Sequence, residues 1–126
     1  MPYLIDTDVL IEISRGSEAA ADFIDNLHDD VFIARISAME LIIGARDRRD
    51  QNAIEKFISI FQLAELSDSI GQNAYAHAKR YSKSHGLTLA DALIAATATT
   101  SDFTLVSKNE KHFHPIAGLK YVRADY

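Results

Sequence analysis

Apolar residues along the chain alternate between short β-rich runs and longer stretches with helical spacing, the arrangement expected of a parallel sheet covered on both faces. Tyr3 to Ile5 predicts a first strand. Asp6-Thr7-Asp8 supplies cap chemistry for a helix carrying Val9, Leu10, Ile11 and Ile13, which stops at Gly16. Ser17 opens a second helix that buries Ala20, Phe23, Ile24 and Leu27. Val31 to Ala34 is too short for a helix and predicts the second strand. A third helix follows from Ser37, and the segment from Gln51 to Phe61 predicts a fourth. A third strand falls within Gln62 to Leu66, after which Ser67 caps a long helix through Ser84 that Gly86 ends. Thr88 opens a helix rich in Ala, Leu and Ile up to Thr100, Phe103 to Val106 predicts the next strand, and Tyr121-Val122 adds an edge strand. The expected fold is α/β, one domain over residues 1–126, with four or five mostly parallel strands flanked by helices.

Composition narrows the class. The chain has 126 residues, 48% hydrophobic and 25% charged, with five Gly and two Pro, so disordered and collagen-like readings are out. The absence of Cys excludes a disulfide scaffold, a thiol nucleophile and a Cys-based zinc or iron–sulfur site. A carboxylate at Asp6 comes too early for a signal peptide, and no window is apolar enough to span a bilayer. A cytoplasmic protein with no membrane partner is expected. The net charge of −5 argues against holding nucleic acid by bulk positive charge.

Three carboxylates stand out by position. Asp6 directly follows the first strand, and Glu40 and Asp91 each lie in the first predicted turn of a helix. The carboxyl ends of parallel strands form the ligand crevice, so Asp6 and Glu40 are both aimed at that edge. A plainer account exists: Ser37-Ala38-Met39-Glu40 and Thr88-Leu89-Ala90-Asp91 both match the capping box, and Asp6 and Asp8 suit a turn. Against it, Glu40 precedes Leu41-Ile42-Ile43, Asp91 is embedded in Ala and Leu, and neither has a Lys or Arg nearby as an internal partner. Buried charges are costly unless paired or metal-bound. A hard divalent cation, Mg²⁺ or Mn²⁺, would keep all three ionised. Histidine ligation is not expected: His112 and His114 lie two apart on a predicted loop, His77 and His85 eight apart on one helix, and all read as solvent-facing.

Four segments together carry a family resemblance: Leu4 to Ile11, Ser37 to Gly44, Leu89 to Ala98, and Leu105 to Phe113. In order, spacing and total length they resemble the motifs of a PIN domain, in the small single-domain ribonuclease toxins of the VapC type. The resemblance implies that Asp6, Glu40 and Asp91 bind metal, with Asp8, Ser37 and Ser107 supporting them. It also implies that Asn109 stands where the family often has a fourth carboxylate, a departure that leaves a second metal open and makes Glu110 a possible substitute. A small antitoxin lying across the active site, a homodimer and RNA cleavage are further implications.

The mechanism these expectations compose is Mg²⁺-dependent hydrolysis of an RNA phosphodiester, with Asp6, Glu40, Asp91 and Asn109 as the catalytic set and Mn²⁺ as a substitute metal. Single-stranded or looped RNA fits a small pocket at a sheet edge. Lys108, Lys111 and His112 are the candidate RNA contacts; Arg46, Arg48 and Arg49 are weaker ones, because Asp47 and Asp50 interleave with them. Tyr75, Tyr81 and Phe113 could stack on bases, although helical spacing suits core positions as well. Ile42, Ile43 and the Ile54–Phe61 face predict a dimer or antitoxin surface.

Three rival classes remain to be weighed. Asp6-Thr7-Asp8-Val9 resembles the opening motif of haloacid-dehalogenase-type phosphatases, with Asp6 as nucleophile and Lys108 at the phosphoryl site, but no paired acids follow Phe103 to Val106 and Glu40 is unexplained. A phospho-acceptor receiver would need an adjacent acidic pair and a Lys-Pro that the chain lacks. A PIN fold kept as a binding module with a weakened site is the third, kept open by Asn109.

Overall fold

The computed structural model describes residues 1–126. Five strands, β1 (Tyr3–Ile5), β2 (Val31–Ala34), β3 (Gln62–Ala64), β4 (Thr104–Ser107) and β5 (Lys120–Arg123), lie in the order β3-β2-β1-β4-β5. Every adjacent pair is parallel, so the sheet has five strands and no antiparallel member. Seven helices connect them: α1 (Thr7–Ser14), α2 (Glu18–Asp25), α3 (Arg35–Ile43), α4 (Arg48–Ile58), α5 (Asp68–His85), α6 (Leu89–Ser101) and α7 (Glu110–Phe113). None is long and apolar enough to cross a membrane.

Both sheet faces are buried, and the two-residue period of the strands divides the core between them. Leu4 and Leu105 face one side, where they pack with α5, α6, Phe113 and Ile116. Ile5, Ile33 and Val106 face the other and meet Val9 and Leu10 of α1, Ile24 of α2, Leu41 of α3 and Ile58 of α4. Tyr81 and Phe113 belong to this core, whereas Tyr75 is exposed. Strand succession runs outward from β1 through β2 to β3, then resumes at β4 on the opposite side. The reversal between β1 and β4 is the topological switch point at which such sheets open a crevice.

Several boundaries differ from expectation for local reasons. β2 runs straight into α3: Ala34 ends the strand and is also the N-cap of the helix, with no side-chain cap bond. Ser37 is therefore the third residue of α3, fully buried, and Ser37–Glu40 is not a capping box. Thr88 and Asp91 do form one. Asp47 caps α4 through the Asp50 N–H and so starts that helix at Arg48, ahead of Gln51; the helix ends at Ile58. The segment after β4 is a short helix, α7, in place of a loop.

Candidate active site

Register places the end of β1 beside the end of β4. Ile5 pairs with Val106 and Asp6 N–H donates to the Val106 carbonyl at 2.9 Å. Asp6 and Ser107 are thus side by side, and Ser107 Oγ donates to Asp6 Oδ2 at 2.6 Å. Asp6 is also the N-cap of α1, its Oδ1 accepting from Thr7 N–H at 2.8 Å, and it is 5% exposed. Tyr121 braces the same corner by donating to the Ser107 carbonyl at 2.9 Å.

Thr7 carries a role that motif reading did not assign. Its hydroxyl lies 2.7 Å from Glu40 Oε1 and 2.9 Å from Ser37 Oγ, at 8% exposure. One hydroxyl has one proton, and a carboxylate is the stronger acceptor, so Thr7 donates to Glu40 and accepts from Ser37. The first turn of α1 thereby holds Asp6 by its backbone and Glu40 by its side chain. Ser37 lies inside α3 and contacts Thr7; it does not cap the helix.

On the far side, Asn109 N–H donates to Ser107 Oγ at 2.9 Å. The Asn109 amide meets His112 Nδ1 at 2.9 Å, and the same nitrogen lies 2.7 Å from Asp91 Oδ2. One ring nitrogen cannot donate to Asp91 and accept from an amide N–H at once. With Asp91 ionised, Nδ1 carries the hydrogen and the Asn109 amide turns its oxygen toward the ring. His112 is half-buried beside Asp91, which corrects the solvent-facing expectation for it; His77 is also half-buried, with Nε2 unpartnered and its pKa lowered by burial.

The predicted residues therefore join in one hydrogen-bonded path, Glu40–Thr7–Asp6–Ser107–Asn109–His112–Asp91. They do not form a closed cluster: no three acidic or histidine side chains stand close enough together to grip an ion. Glu40 is drawn to Thr7 and Asp91 to His112. The carboxylate whose charge acts on Asp6 is Asp8, which accepts from Val9 N–H at 2.7 Å and Lys108 N–H at 3.3 Å.

Electrostatics mark this pair. Burial, and then the charge of Asp8, push the Asp6 carboxyl up to about 8, against the lowering effect of Ser107 and Thr7. Asp8 is also raised, chiefly by burial. No ammonium or guanidinium compensates them, because the Lys108 ammonium bonds Glu12 at 3.1 Å and lies 4.1 Å from the centre of the Tyr126 ring. Two crowded, oxygen-only carboxylates lacking a cation are chemically suited to a hard dication.

The remaining candidates fall away from the centre. Lys108 is pinned as described, which leaves the phosphatase reading without its lysine. Glu110 pairs with Arg123 at 3.4 Å and is exposed, so it does not take the fourth acidic position. Arg46 pairs with Asp50, as the interleaved charges suggested, and Lys111 is exposed. Beside Glu40 opens a groove of about 700 Å³ between α1, α3 and α4, with Ile11, Leu41, Ile54 and Phe57 in its lining and Arg15 and Arg46 among its polar residues.

Comparison with known proteins places the whole chain in a family. The PIN domain family matches residues 3–119. Ribonuclease VapC10 of Mycobacterium tuberculosis is 34% identical over 120 residues, 93% of this chain and 90% of that protein. Ribonuclease VapC19 of the same organism is 32% identical over 114 residues, 87% of this chain and 90% of that one. A toxin-antitoxin complex from Klebsiella pneumoniae superposes with a TM-score of 0.81 at 27% identity, covering 98% of each chain. VapBC2 from Rickettsia felis, bound to a DNA fragment from their promoter, gives 0.85 at 21% identity over 99% of this chain and 100% of that one, a likeness of fold.

Proposed function

The chain belongs to the PIN-domain family, and from that premise we propose that it is a VapC-type ribonuclease toxin that hydrolyses RNA phosphodiesters with a divalent metal. The observation that carries the reading is the pair Asp6 and Asp8 at the switch point, two carboxyls raised in pKa by burial and, for Asp6, by the charge of Asp8. In this proposal Glu40 and Asp91, which do not reach one ion together with Asp6 as they stand, turn inward so that the three hold Mg²⁺, or Mn²⁺ in its place, and Asn109 completes the catalytic set. A bound dication would supply the positive charge for a non-bridging phosphate oxygen and for an attacking water.

The chain's own residues do the rest. Ser107 keeps one Asp6 oxygen directed by its hydroxyl, and Thr7 holds Glu40 against the same strand end. His112 orients Asp91, with Asn109 as its second partner. Helix dipoles favour anions at the starts of α1 and α6, where Asp6 and Asp91 lie. In-line displacement leaves a 5′-phosphate and a 3′-hydroxyl.

Partners follow from surfaces. The groove beside Glu40 suits an amphipathic antitoxin segment, whose apolar residues would cover Ile54 and Phe57 while it blocks the site edge. Met39 and Ile43, four apart on α3 and exposed, with Ile43 at 82%, suit a homodimer contact. A cytoplasmic address accords with an RNA substrate. The deciding experiment is incubation of the purified chain with single-stranded RNA: cleavage to 5′-phosphate products with Mg²⁺ or Mn²⁺, abolished by EDTA, supports the proposal. Cleavage indifferent to EDTA, or none with either metal, overturns it.

A further inference from the structure

The acidic chain carries one strongly basic stretch that nothing above uses. From Lys79 to Gly86 there are three cations and His85 and no acid; along all of α5 the single acidic residue is Asp68, at the opposite end. Lys79, Arg80 and Lys83 are exposed, and none is in an ion pair. Elsewhere five of the ten cations are compensated, Arg35 by Glu65, Arg46 by Asp50, Lys108 by Glu12, Lys120 by Asp102 and Arg123 by Glu110 and Asp125, and the adjacent Arg48 and Arg49 stand between Asp47 and Asp50.

This stretch ends at the site. α5 and α6 form a tight helical hairpin whose turn, Gly86 to Thr88, lies at the start of α6 where Asp91 sits. Gly86 closes α5 with φ +67, and a β-carbon there would stand 4.0 Å from His112 Nε2. Tyr81 anchors α5 to the segment after α7, its hydroxyl accepting from Ala117 N–H at 3.1 Å, and the Arg80 guanidinium lies 5.6 Å from the centre of the Tyr81 ring. Lys111, exposed and unpaired, adjoins His112 on α7. The helix dipole accounts for Lys83 and His85 in the last turn, but its reach does not extend to Lys79 and Arg80.

We infer that the carboxyl-terminal turns of α5, through Lys79, Arg80 and Lys83, together with Lys111 on α7, form the track on which the phosphate backbone of single-stranded RNA lies as it approaches the carboxylates. The inference rests on the ribonuclease reading and adds to it the side from which substrate arrives: across the Asp91–His112 edge, with Lys108 held by Glu12 and the α4 arginines uninvolved. Each phosphate neutralised releases counterions, so such a track gives affinity that weakens with salt and grows with strand length.

The test combines Lys79→Glu, Arg80→Glu and Lys83→Glu, all at exposed positions, against a charge-matched control of Lys56→Glu, Lys120→Glu, Asn52→Glu and Gln72→Glu, also exposed. Affinity for an RNA of about 20 nucleotides, read by fluorescence anisotropy with Ca²⁺ in place of Mg²⁺, should fall by about tenfold or more in the α5 variant, with the salt slope smaller by about 2. Its loss in kcat/KM should grow with length, from under about twofold on a tetranucleotide, while the control loses under about twofold on the long strand. Equal losses in both variants, or wild-type affinity in the α5 variant of a chain that still cleaves RNA, overturn the track and leave the ribonuclease reading standing. A wild-type chain that neither binds nor cleaves RNA overturns both.

Discussion

Ser107 Oγ and Asp6 Oδ2 are 2.6 Å apart although 101 residues separate them in the chain. The bond spans the switch point and gives Asp6 a stabilising partner for its ionised form. Ser107→Ala removes it. The Asp6 carboxyl should then rise further, and Mn²⁺ affinity at neutral pH, measured by calorimetry, should fall by about tenfold to a hundredfold, the usual cost of losing a bond behind a ligand. The fold should lose only about 1 kcal/mol. Unchanged affinity would show that Asp6 is oriented by other contacts.

The raised Asp6 carboxyl ties stability to pH. Its pKa goes from an ordinary value of 3.8 to about 8 on folding, so the native state binds the extra proton. That stability is fully present below about pH 4 and is lost as pH rises through about 8. In metal-free protein at neutral to mildly alkaline pH, Asp6→Asn should raise stability by about 1–3 kcal/mol and flatten this part of the profile, as scanning calorimetry can read. Divalent metal should stabilise the wild type more at pH 8 than at pH 6. A flat wild-type profile across this range would contradict the burial argument.

Thr7 separates positioning from packing. Thr7→Val keeps the β-branched shape and loses the proton that holds Glu40; Thr7→Ser keeps the proton. The valine variant should lose about tenfold to a hundredfold in kcat with thermal stability changed by about 1–2 kcal/mol, and the serine variant should recover most of the rate. Equal rates in the two variants would mean that Glu40 is held by α3 alone.

The groove beside Glu40 offers a test independent of chemistry. Ala53 is exposed on its rim, so Ala53→Arg should fill the groove without touching the core. Capture of a co-expressed antitoxin should be lost, while RNA cleavage by the free toxin continues. Continued capture would place the antitoxin elsewhere.

Much of the fold was legible because parallel strands write themselves as short apolar runs. Val31–Ala34 and Tyr3–Ile5 were readable to the residue, and Asp6 followed from its place after β1. The helix start at Arg35 was not, since Ala34 offers no capping side chain and the Ser-x-x-Glu signal two residues on belongs to other contacts. Nor could the partners of the site residues be read: Thr7 with Glu40, and His112 with Asp91, are tertiary contacts with no local periodicity. Lys108 showed the converse, a basic residue beside a motif whose charge is taken up by Glu12 of α1, a contact distant in sequence.

The junction at Ala34 leaves the Glu40 helix without slack. A single residue inserted between Ala34 and Arg35 would turn everything beyond it by about 100°, since a helix completes its circle in about 3.6 residues. Glu40 would swing away from Thr7, and no connecting loop could absorb the shift. Length variation near this edge should therefore be excluded from the β2–α3 joint and accommodated in the segment between α3 and α4, where Gly44 to Asp47 already bridge two helices.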